Sequence, residues 1–152
     1  MTAPLPGAGA TVVARPRKVL VAAWSGAVVT TALFVVLAVI LRNTNTGVYF
    51  RFADQVALVL LGLFIAGGVL LLARPRVRAD AAGIEVRNIL VTHRYPWQDV
   101  HRIAFPDGAS WARLDLPDDE YVAVLAIQAV DGMHAVAAIT RLRELHAAAH
   151  AR

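Results

Sequence analysis

The sequence predicts an α+β membrane protein: a two-helix transmembrane hairpin, then a small bent antiparallel sheet or barrel capped by one C-terminal helix. Three observations predict it. Two long uncharged apolar runs lie in the first half, the hydrophobic period changes from helical to alternating from Arg76 onward, and an amphipathic stretch ends the chain. Charge divides near the same point. Residues 1–78 carry eight Lys/Arg and one acid, residues 79–152 seven Arg and ten acids, so +7 and −3 make up the net +4. The bases flank apolar segments, so the pI of 10.3 is not the footprint of a nucleic-acid binder and no nucleic-acid partner is expected. Without cysteine, disulfides, thiolate zinc sites and thiol catalysis are excluded.

A cytoplasmic tail is expected over 1–18, its Pro/Gly/Ala-rich start "MTAPLPGAGATVVA" disordered when alone. The first transmembrane helix is expected over 19–41, "VLVAAWSGAVVTTALFVVLAVIL", which meets the roughly 20 apolar residues a hydrocarbon core requires. A short outer loop over 42–54 separates it from a second span over 55–73, "QVALVLLGLFIAGGVLLLA". Arg15, Arg17 and Lys18 precede the hairpin and Arg74, Arg76 and Arg78 follow it, against Arg42, Arg51 and Asp54 in the loop. The positive-inside rule then places both termini in the cytoplasm, with two passes through the plasma (inner) membrane. A cleaved signal peptide fits poorly, because the apolar core exceeds the roughly 7–15 residues of a signal and "VILRNTN" has no small-x-small site. Trp24, Tyr49, Phe50 and Phe52 read as interfacial anchors.

Small residues recur at helical intervals in both spans: Ala23 and Ala27, Gly26 and Thr30, Gly62 and Ala66, then Gly67 and Gly68. They allow close backbone approach, either within the hairpin or onto a larger membrane protein, which makes Gly62, Ala66 and Gly67 candidate interface residues. Neither span has a central ionisable residue, as a transporter or channel would need.

A cytoplasmic domain is expected over 74–152. "RVRA", "IEVRN", "VTHRYP", "VHRIAF", "ARLDL" and "YVAVLAIQAV" read as strands of a meander, divided at "DAAG", "WQD" and "PDDE". The last strand is apolar on both faces and should be central. Asp131 is expected to cap a helix in "GMHAVAAITRLRELHAAAH", with Val136, Ile139, Leu142 and His146 inward and Arg141, Arg143 and Glu144 in water. Within "RNILVTHRYPWQDVHRI", Pro96 should break the chain between strands, Trp97 should anchor it in the core, and Asp99 should accept backbone hydrogen bonds in the turn.

Arg87, His93 and Arg94 are the candidate anion patch, with solvated strand faces as the alternative. Asp115, Asp118, Asp119 and Glu120 form an acidic turn, either a solvated hairpin or a docking surface for a basic loop. Trp111 sits among small residues and is a candidate interface anchor, or else packs on the domain or on lipid. His146 and His150 have the i, i+4 spacing of a chelating pair but no fixed third ligand, so no metal is expected. Asp99, His101 and Ser110 lack any nucleophile motif, and no phosphate-cradling loop is present, so neither catalytic residues nor a cofactor are expected.

The words "DAAGIEVRN", "YPWQDVHRI" and "YVAVLAIQAVDG" and the terminal "RLRELH" helix resemble the bacterial pleckstrin-homology (PH)-like domains of actinobacteria, of the type of the small mycobacterial culture-filtrate antigen. The resemblance covers about residues 74–149 and marks a fold, not a catalytic site. It implies a seven-stranded bent sheet capped by one helix, and a role in protein association. In some actinobacteria, two-helix proteins that look like this one occur as accessory subunits of the respiratory supercomplex of cytochrome bcc and cytochrome c oxidase. The resemblance therefore implies a non-enzymatic accessory or assembly subunit of an integral membrane complex, in contact with membrane lipids. The alternative is a membrane-anchored sensor of an anionic lipid or small metabolite. Eukaryotic relatives bind phosphoinositides through bases in the first inter-strand loop; here that loop, "ADAAG", has Asp80 and no base, so the activity does not transfer.

Overall fold

Long uncharged runs of Val, Leu and Ala satisfy every backbone group internally as helices, and two such helices form: α1 (Arg17–Asn43) and α2 (Phe52–Leu70), the latter extended by a 3-10 turn to Ala73. The computed structural model describes residues 11–43 and 50–151. The expected anchor Tyr49 and the first ten residues of the expected tail lie outside them. Both helices are long and apolar enough to cross a membrane, and each begins before and ends at or after its expected span. Their interface is built from small residues. Ala23, Ala27 and Ala38 of α1 and Gly62 and Ala66 of α2 are buried, and a Cβ at Gly62 would stand 2.5 Å from the Phe34 Cβ. Gly26 meets Val69, Gly62 meets Phe34 and Arg42 bonds Gln55 (2.7 Å), contacts that run in opposite senses along the two helices, as an antiparallel hairpin requires.

The rest of the chain forms a second compact unit, in which the described residues up to Lys18 join those from Arg74 onward. Among the described residues seven strands make two antiparallel sheets. The first has the order β1 (Val12–Ala14), β2 (Arg76–Ala79), β3 (Gly83–Arg87) and β4 (Thr92–Pro96); the second has β5 (Arg102–Ala104), β6 (Trp111–Asp115) and β7 (Tyr121–Gln128). The six expected strands all form, with ends shifted by up to two residues. The seventh is the correction: Val12–Ala14, expected to be disordered when alone, pairs Val12 with Ala79 and Ala14 with Val77. The tail "TVVA" carries the β-branched alternation of a strand, but its partner lies beyond the whole hairpin, and local composition does not register that pairing.

Strand alternation sends Val77, Ala79, Ile84, Val86, Ala112, Leu114, Val124 and Ala126 into one core, where all are buried. Contacts of β7 with β2 and β3 bring the two sheets together. Asn88 bonds across them: its Nδ2 donates to Ala123 O (2.8 Å) and its Oδ1 accepts from Leu125 N (3.3 Å). Trp97 is 2% exposed and donates from Nε1 to Asp80 O (2.8 Å), which bears out its expected anchoring role. The turn carboxylate that caps backbone amides is Asp80, which accepts from Ala82 N (2.8 Å) and Gly83 N (3.1 Å); among the described residues none donates to Asp99. Gly83 faces Pro96 across the ladder, and a Cβ there would strike the Tyr95 carbonyl oxygen.

Helix α3 (Met133–His150) covers this core with Ala135, Ala138, Ile139, Leu142 and Leu145. Val136 lies off that stripe and is 53% exposed. His146 is half-buried, its Nε2 donating to Val100 O (2.6 Å) and its ring edge-on to Trp97. Asp131 does not cap α3. The N-cap is Gly132, at φ +54°, and the Asp131 carboxylate instead accepts from Arg17 N (3.2 Å) and Lys18 N (3.0 Å), the first-turn amides of α1. A carboxylate there satisfies orphan donors and meets the positive end of the helix dipole.

Candidate functional site

With Val77, Ala79, Ile84 and Val86 turned inward, Arg76, Arg78, Glu85 and Arg87 occupy the outer face of the four-stranded sheet. Register then divides the expected anion patch. Arg94 lies opposite Glu85 and Arg87 opposite Thr92, both on this face; His93 lies opposite Val86, one residue out of phase, on the face it shares with Tyr95 (ring centroids 6.0 Å apart). Arg87 and Arg94 therefore share a surface and His93 does not.

The outer face resolves into two rows. In the first, Arg78, Glu85 and Arg94 lie side by side, and Arg94 also pairs with Asp80 (3.4 Å), so two bases meet two acids. In the second, Arg76 lies opposite Arg87, and continuing the β1–β2 register sets Arg15 opposite Arg76. That row contains no acid. The Nε atoms of Arg76 and Arg87 are buried and have no hydrogen-bond partner among the described residues. Desolvation, then Arg78, Arg87 and Arg15, push the Arg76 pKa below its ordinary value, with Glu85 opposing. An arginine stays charged at physiological pH all the same, so the repulsion is not relieved by losing a proton. Arg15, Arg76 and Arg78 stood in the sequence as signs of membrane orientation; the alternation of "RVRA" against "IEVRN" was the signal that they also form a surface.

The acidic turn is a tight hairpin between β6 and β7. Asp118 and Asp119 both take φ +58°, a left-handed pair that glycine or asparagine adopts with less strain, and Leu116 N donates to Glu120 O (2.8 Å). Asp115 is not part of its free charge, because it pairs with Arg102 (3.0 Å) and Arg113 (2.8 Å). Asp118, Asp119 and Glu120 remain exposed.

An apolar groove of about 570 Å³ opens beside the start of α3, lined by Phe105, Met133, Val136, Ile139 and Arg143 among others. Trp111 stands near it, since the adjacent Ser110 carbonyl accepts from Ala129, which also lines the groove. Trp111 is 45% exposed, Val130 50% and Met133 79%, so three large apolar side chains in this part of the domain are open to solvent. In the hairpin the candidate interface residues divide. Gly62 and Ala66 pack against α1, whereas Gly67 has open space where a Cβ would stand and lines a shallow apolar face with Leu60, Leu63, Phe64 and Gly68. Among the described residues no three metal-ligating side chains converge, and the two histidines at chelating spacing make other contacts: His146 through Val100 O, and His150 with its Nδ1 2.9 Å from His146 O.

Residues 74–145 match the Bacterial PH domain family. Over 134 residues the chain is 46% identical to uncharacterized proteins of Mycobacterium bovis and Mycobacterium tuberculosis, a stretch covering 88% of this chain and 87% of each relative. No solved structure matches it.

Proposed function

The chain belongs to the bacterial PH domain family, and on that basis we propose that it is a membrane-anchored, non-enzymatic docking subunit of an inner-membrane protein complex. The hairpin holds it in the bilayer with both termini cytoplasmic, and the PH-like domain provides the docking surface. The observation that carries this reading is the group of large apolar side chains left exposed around the start of α3, with Met133 and Val136 lining an open groove and Trp111 and Val130 exposed next to residues that border it. Soluble domains seldom leave such a group bare unless something covers it. The acidic Asp118–Glu120 turn would add steering toward a basic surface, and the Gly67 face would pack against a partner helix. The resemblance to two-helix accessory subunits makes the cytochrome bcc/cytochrome c oxidase supercomplex the first complex to test.

Affinity purification of the full chain at endogenous level in mild detergent, followed by mass spectrometry, is the test. Oxidase or bcc subunits should be recovered with the wild type and lost with Met133→Glu/Val136→Glu. Recovery of this chain alone would end the proposal. A second reading, a membrane-anchored sensor of an anionic ligand, is favoured by a different observation: the unbalanced arginines on the outer face of the four-stranded sheet.

A further inference from the structure

We propose that Arg15, Arg76 and Arg87 form a binding site for the phosphate of an anionic phospholipid headgroup. This rests on the sensor reading and names its site and ligand class. The surface is not the inter-strand loop through which eukaryotic PH domains bind phosphoinositides; that loop carries Asp80 here.

Arg76 and Arg87 are direct cross-strand neighbours of like charge, a destabilising pairing, and Arg15 extends the row on the other side. The adjacent row shows what compensation looks like on the same sheet, with Glu85 and Asp80 set among Arg78 and Arg94. The Arg15–Arg76–Arg87 row has no acid, and two of its Nε–H donors are buried without a partner among the described residues. A phosphate set along the edges of the two guanidinium groups would accept from their exposed N–H donors in plane and cancel the repulsion, with the bidentate geometry for which arginine is suited.

Chain length supplies the source of the phosphate. Arg15 lies two residues before α1 begins, and Arg76 three residues after the second apolar helix ends at Ala73. At roughly 3.5 Å per residue their Cα atoms are no more than about 7 and 10 Å from the helix ends. That distance is comparable to the headgroup layer flanking a hydrocarbon core, roughly 5–8 Å thick on each side. A free phosphate in the cytosol would need no such placement.

The full chain in neutral detergent should be titrated with phosphatidylglycerol, with phosphatidylcholine of the same acyl chains, and with inorganic phosphate, and bound lipid counted by native mass spectrometry. Phosphatidylglycerol should be preferred. Each arginine removed should cut the preference about fivefold, so Arg76→Gln/Arg87→Gln should lose roughly twenty-five-fold. Arg17→Gln/Lys18→Gln, which removes equal charge nearby, should lose less. Glu85→Gln should strengthen binding, and this gain keeps the test decisive if the double variant folds poorly. Selectivity for phosphatidylglycerol that survives Arg76→Gln/Arg87→Gln, or falls equally in Arg17→Gln/Lys18→Gln, overturns the site while leaving the sensor reading. Displacement of the lipid by millimolar inorganic phosphate overturns the lipid assignment, and equal binding of both lipids with no phosphate binding overturns site and reading together.

Discussion

Asn88 is one residue through which the two sheets are joined by hydrogen bonds, and its amide is used on both sides, as donor to Ala123 O and acceptor from Leu125 N. Asn88→Ala should cost about 1–3 kcal/mol, since two backbone groups lose their partner, while Asn88→Asp should recover only the acceptor half. Thermal unfolding of the detergent-solubilised chain reads both. In sequence this Asn was visible only as the last letter of a family word; its bonding across 35 and 37 residues was not. Tyr95 illustrates the same limit. Burial, then the Glu120 carboxylate, raise its pKa above the ordinary 10.0, so the folded state favours the protonated phenol. Its contribution is fully present below pH 10.0 and is lost as pH rises through the raised value. Melting temperatures followed across about pH 9 to 11.5 should therefore fall less steeply for Tyr95→Phe than for the wild type.

At the scale of elements, small residues with the same spacing have different roles. Gly62 closes the hairpin against Phe34, so Gly62→Leu should destabilise it by about 1–3 kcal/mol, seen as a lower melting temperature and faster proteolysis in detergent. Gly67→Leu meets open space and should leave both unchanged. Any loss of complex with Gly67→Leu would then report on a partner and not on folding. Helical period located these residues; which face meets the neighbouring helix depends on how the two helices are rotated, and period alone does not determine that. Strand period was more informative. The alternation in "IEVRN" puts Ile84 and Val86 on one face, which is the buried one, whereas the trio Arg87, His93 and Arg94 was chosen by charge and nearness in sequence, and a one-residue step put His93 on the other face.

For the whole molecule, the central fact is that the four-stranded sheet is made from both sides of the helical hairpin, which is inserted between β1 and β2. Removing residues 1–15 should unpair the β2 edge, cost about 1–3 kcal/mol and abolish the slow hydrogen exchange of β2 amides that bond to β1. Joining residues 11–16 directly to residue 74 in a soluble fragment should restore that protection, and a fragment that is equally protected without them would refute the role of β1.

The sequence by itself determined the two apolar helices, the change of period near Arg76, six of the strands, the C-terminal helix and the Trp97 anchor, because each is encoded by neighbours within one element. The tertiary structure alone decided that Val12–Ala14 completes the sheet, that Asp131 caps α1 instead of α3, and that Arg15, Arg76 and Arg87 form one uncompensated row. Each of these joins residues far apart in the chain. Such pairings depend on register and on the path of the backbone in space, which composition and periodicity do not carry.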